Sequence, residues 1–217
     1  MSLKTLKISL VKIILHIFIV RIILQIMENF KTSLTARNVL TAFAIETQAI
    51  QKYLWYAKIA AKEGYQQIAA IFTETAEQKK SHTKTLFRFL EGCELEITST
   101  FEAEPFGTTP ENLKAASEAE SNQTNTLFSD FETVAWEEGY KQIATKLKLF
   151  RQIKTFYAER FEKLADNIEN GTVFKKDKKV KWICRKCGLI YESDRALKNC
   201  PGCEHPQAYF EILAENY

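Results

Sequence analysis

Two Cys-x-x-Cys pairs near the C-terminus constrain the fold of this chain more than any other feature of its sequence. They are Cys184 with Cys187 and Cys200 with Cys203, and twelve residues separate the two pairs. Each pair directs two thiolates at one point, so together they predict a tetrahedral metal site with four sulfur ligands. Thiolate ligands need reduced cysteines, which favours a reducing cytoplasm over an extracellular disulfide framework.

The segment that carries these cysteines, 182–217, is too short to fold well without its metal. Tetrahedral sulfur ligation suits iron and zinc alike, so the cysteine spacing leaves both metals open. Covalently attached haem is excluded, because Gly188 rather than a histidine follows Cys187. The segment is therefore predicted to be a small metal-bound domain built from turns and short strands.

The long middle part of the chain has the pattern of an all-helical domain. Between Thr35 and Gly171 the apolar residues recur at helical spacing and proline is nearly absent. With 46% apolar residues, the chain can bury the core of a four-helix bundle. Four helices are predicted. The first spans 35–62, and the second ends at 91–92. The third opens at Thr109-Pro110-Glu111 with Thr109 as N-cap and is broken at 138–140, and the fourth ends near 170–171.

An internal repeat relates the two halves of this bundle. The segments EGYQQIAAIFTETAEQKKSH and EGYKQIATKLKLFRQIKTFY share Glu-Gly-Tyr-x-Gln-Ile-Ala. Counted from the two glycines, Lys79 corresponds to Lys154, and His82 corresponds to Tyr157. The bundle is therefore predicted to consist of two helical hairpins of common pattern, joined by a non-periodic stretch over 95–109.

Composition divides the chain into an apolar N-terminal extension (1–27), the bundle (28–171), a polar linker (172–181) and the cysteine-rich domain (182–217). Residues 8–26 are almost wholly apolar, interrupted by Lys12, His16 and Arg21. The extension is interpreted either as the result of an upstream start, with Met27 as the functional first residue, or as a membrane anchor. The first interpretation predicts a cytoplasmic protein and the second a membrane-anchored one.

The net charge of the chain is +3, which is too small to indicate nucleic acid as a partner. The basic run at 175–179 is interpreted as part of the solvated linker rather than as a binding patch.

Aromatic residues around the cysteines resemble those of rubredoxin. They are Trp182 before the first cysteine, Tyr191 after the first pair and Phe210 beyond the last. This resemblance favours iron over zinc as the bound metal. A four-helix bundle followed by such a domain resembles the rubrerythrin family, and the resemblance extends from Glu28 to the end of the chain. Segments such as LTAFAIETQA, EGYQQIAAIFTETAEQ, LFRFLEG and WEEGYKQIA carry it.

This resemblance implies a mainly α chain, with a ferritin-like four-helix bundle followed by a rubredoxin-like domain. It further implies a diiron carboxylate site in the bundle, which reduces hydrogen peroxide with electrons supplied through the rubredoxin-like iron. The implied assembly is a homodimer that exchanges electrons with a redox partner protein.

The iron ligands that the resemblance implies are only partly present. Three of the seven expected ligand positions keep a suitable residue: Glu46, His82 and Glu120. The other four positions hold residues that are not the family's ligands: Lys79, Gln123, Lys154 and Tyr157. Enzyme activity as a peroxide reductase is therefore left open by the sequence.

The number of histidines and the charges in the bundle also argue against a diiron site, independently of the family resemblance. His82 is the only histidine of the bundle, because His16 and His205 lie outside it, so a site with two histidine ligands cannot be built. Two glutamates and two lysines sum to zero charge, so the lysines can neutralise the carboxylates that would otherwise bind iron. The sequence thus predicts ion pairs in place of a diiron centre.

Three functions follow as hypotheses. The first is an electron-transfer protein whose chemistry is confined to one iron bound by four cysteines, acting as a homodimer or in a mixed dimer with an intact rubrerythrin. The second is an active peroxide reductase with an altered metal site at Glu46, His82 and Glu120. The third is a scaffold or regulator with zinc in the tail; visible absorption separates it from the first, because zinc is spectroscopically silent.

Overall fold

The computed structural model describes residues 13, 15–21, 29–101, 103 and 105–216. Its architecture confirms the predicted mainly α fold, with a helical bundle followed by a small domain of strands and turns. After residue 33, the elements are α1 (Leu34–Lys62), α2 (Gln66–Leu90), α3 (Thr109–Asn125), α4 (Leu127–Glu137), α5 (Lys141–Glu169), β1 (Lys175–Cys184), β2 (Ile190–Arg195), a 3-10 turn (Gln207–Tyr209) and β3 (Phe210–Ile212).

Two helical hairpins make up the bundle, as the repeat predicts. The first hairpin (34–90) consists of α1 packed on α2, and the second hairpin (109–169) consists of α3 and α4 packed on α5. The helices α1 and α4 end in the same way, with Gly64 and Gly139 at φ of +90° and +86°. The amide of the following tyrosine then donates to a carbonyl in the last helical turn, as in a Schellman motif.

The predicted third helix is divided into α3 and α4 at Thr126, whose φ and ψ are −117° and −87°. Both the amide and the hydroxyl of Thr126 donate to the carbonyl oxygen of Asn122, and this back-bonding is a known cause of helix bends. The predicted N-cap is wrong by one residue, because Thr108 caps α3 in a capping box with Glu111 while Thr109 is already helical.

The glutamates of the two Glu-Gly-Tyr segments connect the hairpins at opposite ends of the bundle. Glu138 accepts hydrogen bonds from the amides of Leu34 and Thr35 at the start of α1, at 3.0 and 2.8 Å. Glu63 accepts from the amide of Thr109 at the start of α3, at 2.8 Å. Each carboxylate therefore caps the N-terminus of a helix in the other hairpin, where a negative charge is favourable.

A three-stranded antiparallel sheet in the order β2-β1-β3 organises the C-terminal domain. Trp182 of β1 is fully buried beneath it and donates its indole N–H to the carbonyl oxygen of Ser193 at 3.0 Å. Strand β1 begins at Lys175, inside the segment 172–181 that was predicted to be a linker, because Lys175 pairs with Arg195 at the end of β2. The sheet thus begins earlier than residue 182.

The predicted N-terminal extension, 1–27, lies outside the described residues except for residue 13 and residues 15–21. These are helical, and their large apolar side chains are exposed. Among the residues that the structure describes, no helix has both the length and the apolar character needed to cross a membrane.

Candidate metal centre and charged core

Four charged side chains meet in the middle of the bundle and are almost completely buried. Glu46 lies on α1, Lys79 on α2, Glu120 on α3 and Lys154 on α5, and none is more than 1% exposed. We call these four residues the charge quartet. On α1, α2 and α5 the quartet residue lies between two apolar core clusters, and on α3 Glu120 follows the residues of one of them, so the quartet forms a polar layer across the bundle.

Each lysine of the charge quartet bridges both glutamates. The Nζ atom of Lys79 lies 3.2 Å from both carboxylate oxygens of Glu46 and 2.7 Å from Oε1 of Glu120. The Nζ atom of Lys154 contacts Oε1 of Glu46 and lies 3.0 Å from Oε2 of Glu120. Positive and negative groups therefore alternate around a closed ring whose formal charge is zero, which offsets much of the cost of burying them.

Electrostatics within the ring favours the ionised forms of Glu46, Glu120 and Lys79. Burial alone would raise the pKa of Glu46, but the ammonium groups of Lys154 and Lys79 outweigh it and hold that pKa well below its usual value. The same balance of burial against the two lysines lowers the pKa of Glu120. For Lys79 burial acts to lower the pKa, but the two carboxylates outweigh it and the pKa is raised.

Three further side chains complete the hydrogen bonds of the ring. Nδ1 of His82 lies 3.0 Å from Oε2 of Glu46, and the hydroxyl of Tyr53 donates to Oε1 of Glu120. Lys154 also donates to the amide oxygen of Gln123 at 2.8 Å. Burial, followed by the charge of Glu120, raises the pKa of Tyr53 well above its usual value, so the phenol remains a donor.

Tyr157 closes the side of the layer between α2 and α5. Its hydroxyl donates to Oε1 of Gln78 at 2.9 Å, and its ring stacks on that of His82 with centroids 6.4 Å apart. Burial and the charge of Glu120 raise its pKa to about 12. The seven positions that the sequence analysis singled out in the bundle thus surround one polar layer: Glu46, Lys79, His82, Glu120, Gln123, Lys154 and Tyr157.

The four cysteines of the tail converge on a second centre. Their sulfur atoms all lie within 4.8 Å of one another, with 3.8 Å between Cys184 and Cys203 and 3.5 Å between Cys187 and Cys200. Four sulfurs placed about 2.3 Å from one tetrahedral metal would be separated by about 3.8 Å. The cysteines therefore fit a single metal ion, and no other metal-ligand cluster of this kind occurs among the described residues.

The two cysteine turns have the same backbone construction. The amide of Gly188 donates to the carbonyl of Cys184 at 2.8 Å, and the amide of Glu204 donates to that of Cys200 at the same distance. Both donors have positive φ, of 77° for Gly188 and 61° for Glu204. A left-handed residue directly after each pair therefore folds the turn around the sulfurs. Tyr191 and Phe210 pack edge to face beside them, with ring centroids 5.3 Å apart.

Some residues of the site were not predicted from the sequence. Gln78 was overlooked as the partner of Tyr157, and the capping roles of Glu63 and Glu138 were not foreseen. The Glu-Gly-Tyr repeat carried a signal for both glutamates, because its two copies place a carboxylate at equivalent helix ends. No local signal pointed to Gln78, since its partner lies 79 residues away along the chain.

Comparisons with known proteins agree with this architecture. The family model Rubrerythrin matches residues 37–165, and the model of the rubredoxin-like domain of rubrerythrin matches residues 182–211. A rubrerythrin of Porphyromonas gingivalis is 44% identical over 190 residues, covering 88% of this chain and 95% of the relative. A rubrerythrin of Clostridium perfringens is 43% identical over 195 residues, covering 88% of this chain and all of the relative.

Comparisons with solved structures also agree with this architecture. The mixed-valence state of nigerythrin matches with a TM-score of 0.55 and 26% identity, covering 82% of this chain and 86% of that one. The bacterioferritin of Desulfovibrio desulfuricans, at 18% identity and a TM-score of 0.58, shows the shared helical fold; the match covers 64% of this chain and 81% of that one.

Proposed function

Because the chain belongs to the rubrerythrin family, we propose that it is a non-haem iron protein that transfers single electrons through its four-cysteine site, without a diiron peroxidase centre in its bundle. The family and the cysteine cluster support iron binding and an oxidoreductase role. The charge quartet is the observation that supports a single metal centre, in the tail, without a second one in the bundle.

The residues of the bundle do not fit a pair of iron ions. Both oxygens of Glu46 and both oxygens of Glu120 already contact an ammonium group of the charge quartet. Two ammonium groups at the centre would repel a divalent cation, and the low dielectric of a buried layer strengthens that repulsion. The positions of Gln123 and Tyr157 supply an amide and a phenol where the family resemblance implies a carboxylate and a histidine.

The residues of the tail do fit one iron. An iron ion held by four thiolates would supply one-electron transfer, since all four of its coordination positions are taken by sulfur. Cys184 and Cys200 are buried, whereas Cys187 is exposed. An electron partner would reach the site at Cys187, while Trp182 and Phe210 shield the other side of the cysteines from water.

The alternative of an active peroxide reductase would rest on Glu46, His82 and Glu120, which survive as ligand-type residues. Their ligand atoms are committed to each other and to the lysines, so a metal would first have to displace a buried ammonium group. Zinc in the tail remains the alternative for a scaffold or regulator, because tetrahedral sulfur ligation suits both metals.

The compartment and the partners of the protein are also part of the proposal. A reducing cytoplasm suits the five cysteines, all of which are free thiols in the structure. The family resemblance implies a redox partner protein and a dimer, either of two identical chains or with an intact rubrerythrin.

Peroxide tests this function. We expect that adding hydrogen peroxide to the iron-loaded, reduced protein slowly restores the visible absorption of the ferric tail without sustained turnover. The reason is that peroxide finds no open coordination position at an iron bound by four sulfurs. Stopped-flow absorption with a peroxide electrode measures both quantities, and the Porphyromonas gingivalis rubrerythrin under the same conditions serves as the comparison.

Glu46→Gln is the matched variant for this experiment. If the chemistry is confined to the tail, the variant should oxidise at the same rate as the unaltered chain. Rapid turnover by the unaltered chain that Glu46→Gln abolishes would contradict the proposal and place a working site in the bundle.

A further inference from the structure

A cavity of about 320 Å³ lies where the C-terminal domain meets the end of the bundle. Tyr65, just before α2, and Ile168, near the end of α5, border it on the bundle side. Lys175 of β1 and Arg195 of β2 border it on the side of the C-terminal domain. We call it the junction cavity. Neither the charge quartet nor the cysteine cluster contributes a residue to its described lining.

Two basic residues of the junction cavity face each other across the sheet. Lys175 and Arg195 are directly paired in the antiparallel register of β1 and β2, so their side chains leave the sheet on the same face. Like charges placed opposite each other in this way are unfavourable. Nearby Arg185 has an acidic partner, Glu211. In contrast, neither residue of the pair forms an ion pair with any residue that the structure describes. A bound anion would supply the missing counter-charge.

The rest of the described lining adds no negative charge, because none of its residues is acidic. Tyr65 and Phe174 form an aromatic wall, with their rings inclined by only 4° and their centroids 6.2 Å apart. Ile168 and Val173 add aliphatic surface. The junction cavity thus combines two cationic groups with an apolar wall, as is typical of sites that bind a small molecule with one charged end.

We propose that the junction cavity binds a phosphate monoester, whose phosphate group is held by Lys175 and Arg195. Such a group carries a charge of about −1.5 to −2 near neutral pH, which matches the two cations. The planar fork of arginine binds two phosphate oxygens at once, and lysine adds a second positive charge. A phosphate group alone leaves much of the cavity unfilled, so the apolar wall has room for the organic part of the ligand.

Strand pairing organises this site before a ligand binds. Residues directly opposite each other in an antiparallel sheet have Cα atoms about 4.5–5.5 Å apart. The two cations are therefore brought together by the fold, and binding has to order only the ends of two side chains.

Calorimetric titration of the iron-loaded, full-length protein with adenosine monophosphate at low ionic strength tests this proposal. We expect a single nucleotide to bind per chain. Arg195→Gln and Lys175→Gln should each weaken the affinity by about tenfold or more, the usual effect of losing a hydrogen bond to a charged group. Lys181→Gln is the matched control, because it removes the same charge from β1 outside the described lining of the cavity, and it should bind like the unaltered chain.

Related ligands show which part of the nucleotide is recognised. Glycerol 3-phosphate should also bind, inorganic phosphate should bind more weakly, and adenosine should not bind at the same concentrations. Equal affinities in the unaltered chain and in both cavity variants would overturn the proposal, as would a failure of both monoesters to bind. Inorganic phosphate that binds as tightly as the monoesters would overturn the assignment of an organic ligand.

Thermal melts separate ligand binding from a structural role of the pair. Without ligand, Arg195→Gln should melt no lower than the unaltered chain, because it removes one of two opposed like charges. Adenosine monophosphate should raise the melting temperature of the unaltered chain and leave that of the variant unchanged. A variant that melts well below the unaltered chain without ligand, yet gains the same increase from the nucleotide, would show that Arg195 supports the sheet and not a ligand.

Discussion

Restoring four residues of the bundle at once is expected to make it bind iron. The variant carries Lys79→Glu, Gln123→Glu, Lys154→Glu and Tyr157→His, and it replaces a neutral ring with a cluster of carboxylates and two histidines. Buried carboxylates without cationic partners are costly, and divalent iron relieves that cost. Iron analysis should rise from about one to about three ions per chain, the number expected for a diiron bundle plus one sulfur-bound iron.

Thermal melts add an independent readout for this variant. Without iron it should melt well below the unaltered chain, and ferrous iron should raise its melting temperature, because metal binding favours the folded state. Gln123→Glu alone is the matched control and should not gain iron, since both lysines remain. A fourfold variant that folds but neither binds iron nor changes its melting temperature would show that the lysines do not exclude the metal.

Removing one lysine of the charge quartet should have the largest effect of any single substitution on the bundle. Lys79→Ala leaves Glu46 and Glu120 with one ammonium group instead of two in a layer that water does not reach. We expect a loss of about 3–5 kcal/mol in the free energy of unfolding, the usual cost of breaking a buried ion pair. Denaturation by urea measures it, and Lys79→Met, which keeps most of the apolar stem, separates the charge effect from lost packing.

The matched control is Lys114→Ala, which removes an ion pair with Glu169 that is about half exposed. Ion pairs exposed to solvent contribute little to stability, so this change should be nearly neutral. The pH dependence of stability also distinguishes the buried ion pairs from the exposed one. In the unaltered chain the pKa values of Glu46 and Glu120 are lowered from their usual value of 4.5. Their ion pairs therefore stabilise the fold at pH values above 4.5, and this stabilisation is lost on acidification. In Lys79→Met the deficit should shrink on acidification, since a protonated carboxyl no longer needs the missing partner. Equal losses from Lys79→Ala and Lys114→Ala would contradict the account.

Features that depend on short stretches of sequence could be predicted. The glycines of the Glu-Gly-Tyr repeat end α1 and α4 where expected, because a left-handed residue is needed there and glycine adopts it without strain. The spacing of the cysteines predicted a cluster of four sulfurs, and the structure brings them together. In the bundle, the repeat counted from its glycines placed Lys79 and Lys154 at equivalent positions, and the structure brings both into one polar layer.

Features that depend on contacts between residues far apart in the chain could not be predicted from the sequence. The bend at Thr126 arises where a side chain competes for a helical carbonyl, and threonine is also common in unbroken helices. Strand β1 extends into the polar segment from Lys175, because pairing with Arg195 rather than local composition defines it. The hydrogen bond from Tyr53 to Glu120 joins residues 67 positions apart, and nothing in either local sequence specifies it.

Iron analysis of the purified full-length protein, together with its visible spectrum, tests the central claim most directly. The account predicts about one iron per chain, because one complete tetrahedral thiolate site is present, and an absorption spectrum typical of sulfur-bound ferric iron. Substituting Cys184→Ser should abolish both the spectrum and the bound iron. About three irons per chain, as two in the bundle plus one in the tail would require, with two of them retained after Cys184→Ser, would contradict the claim that ion pairs have replaced the metal in the bundle.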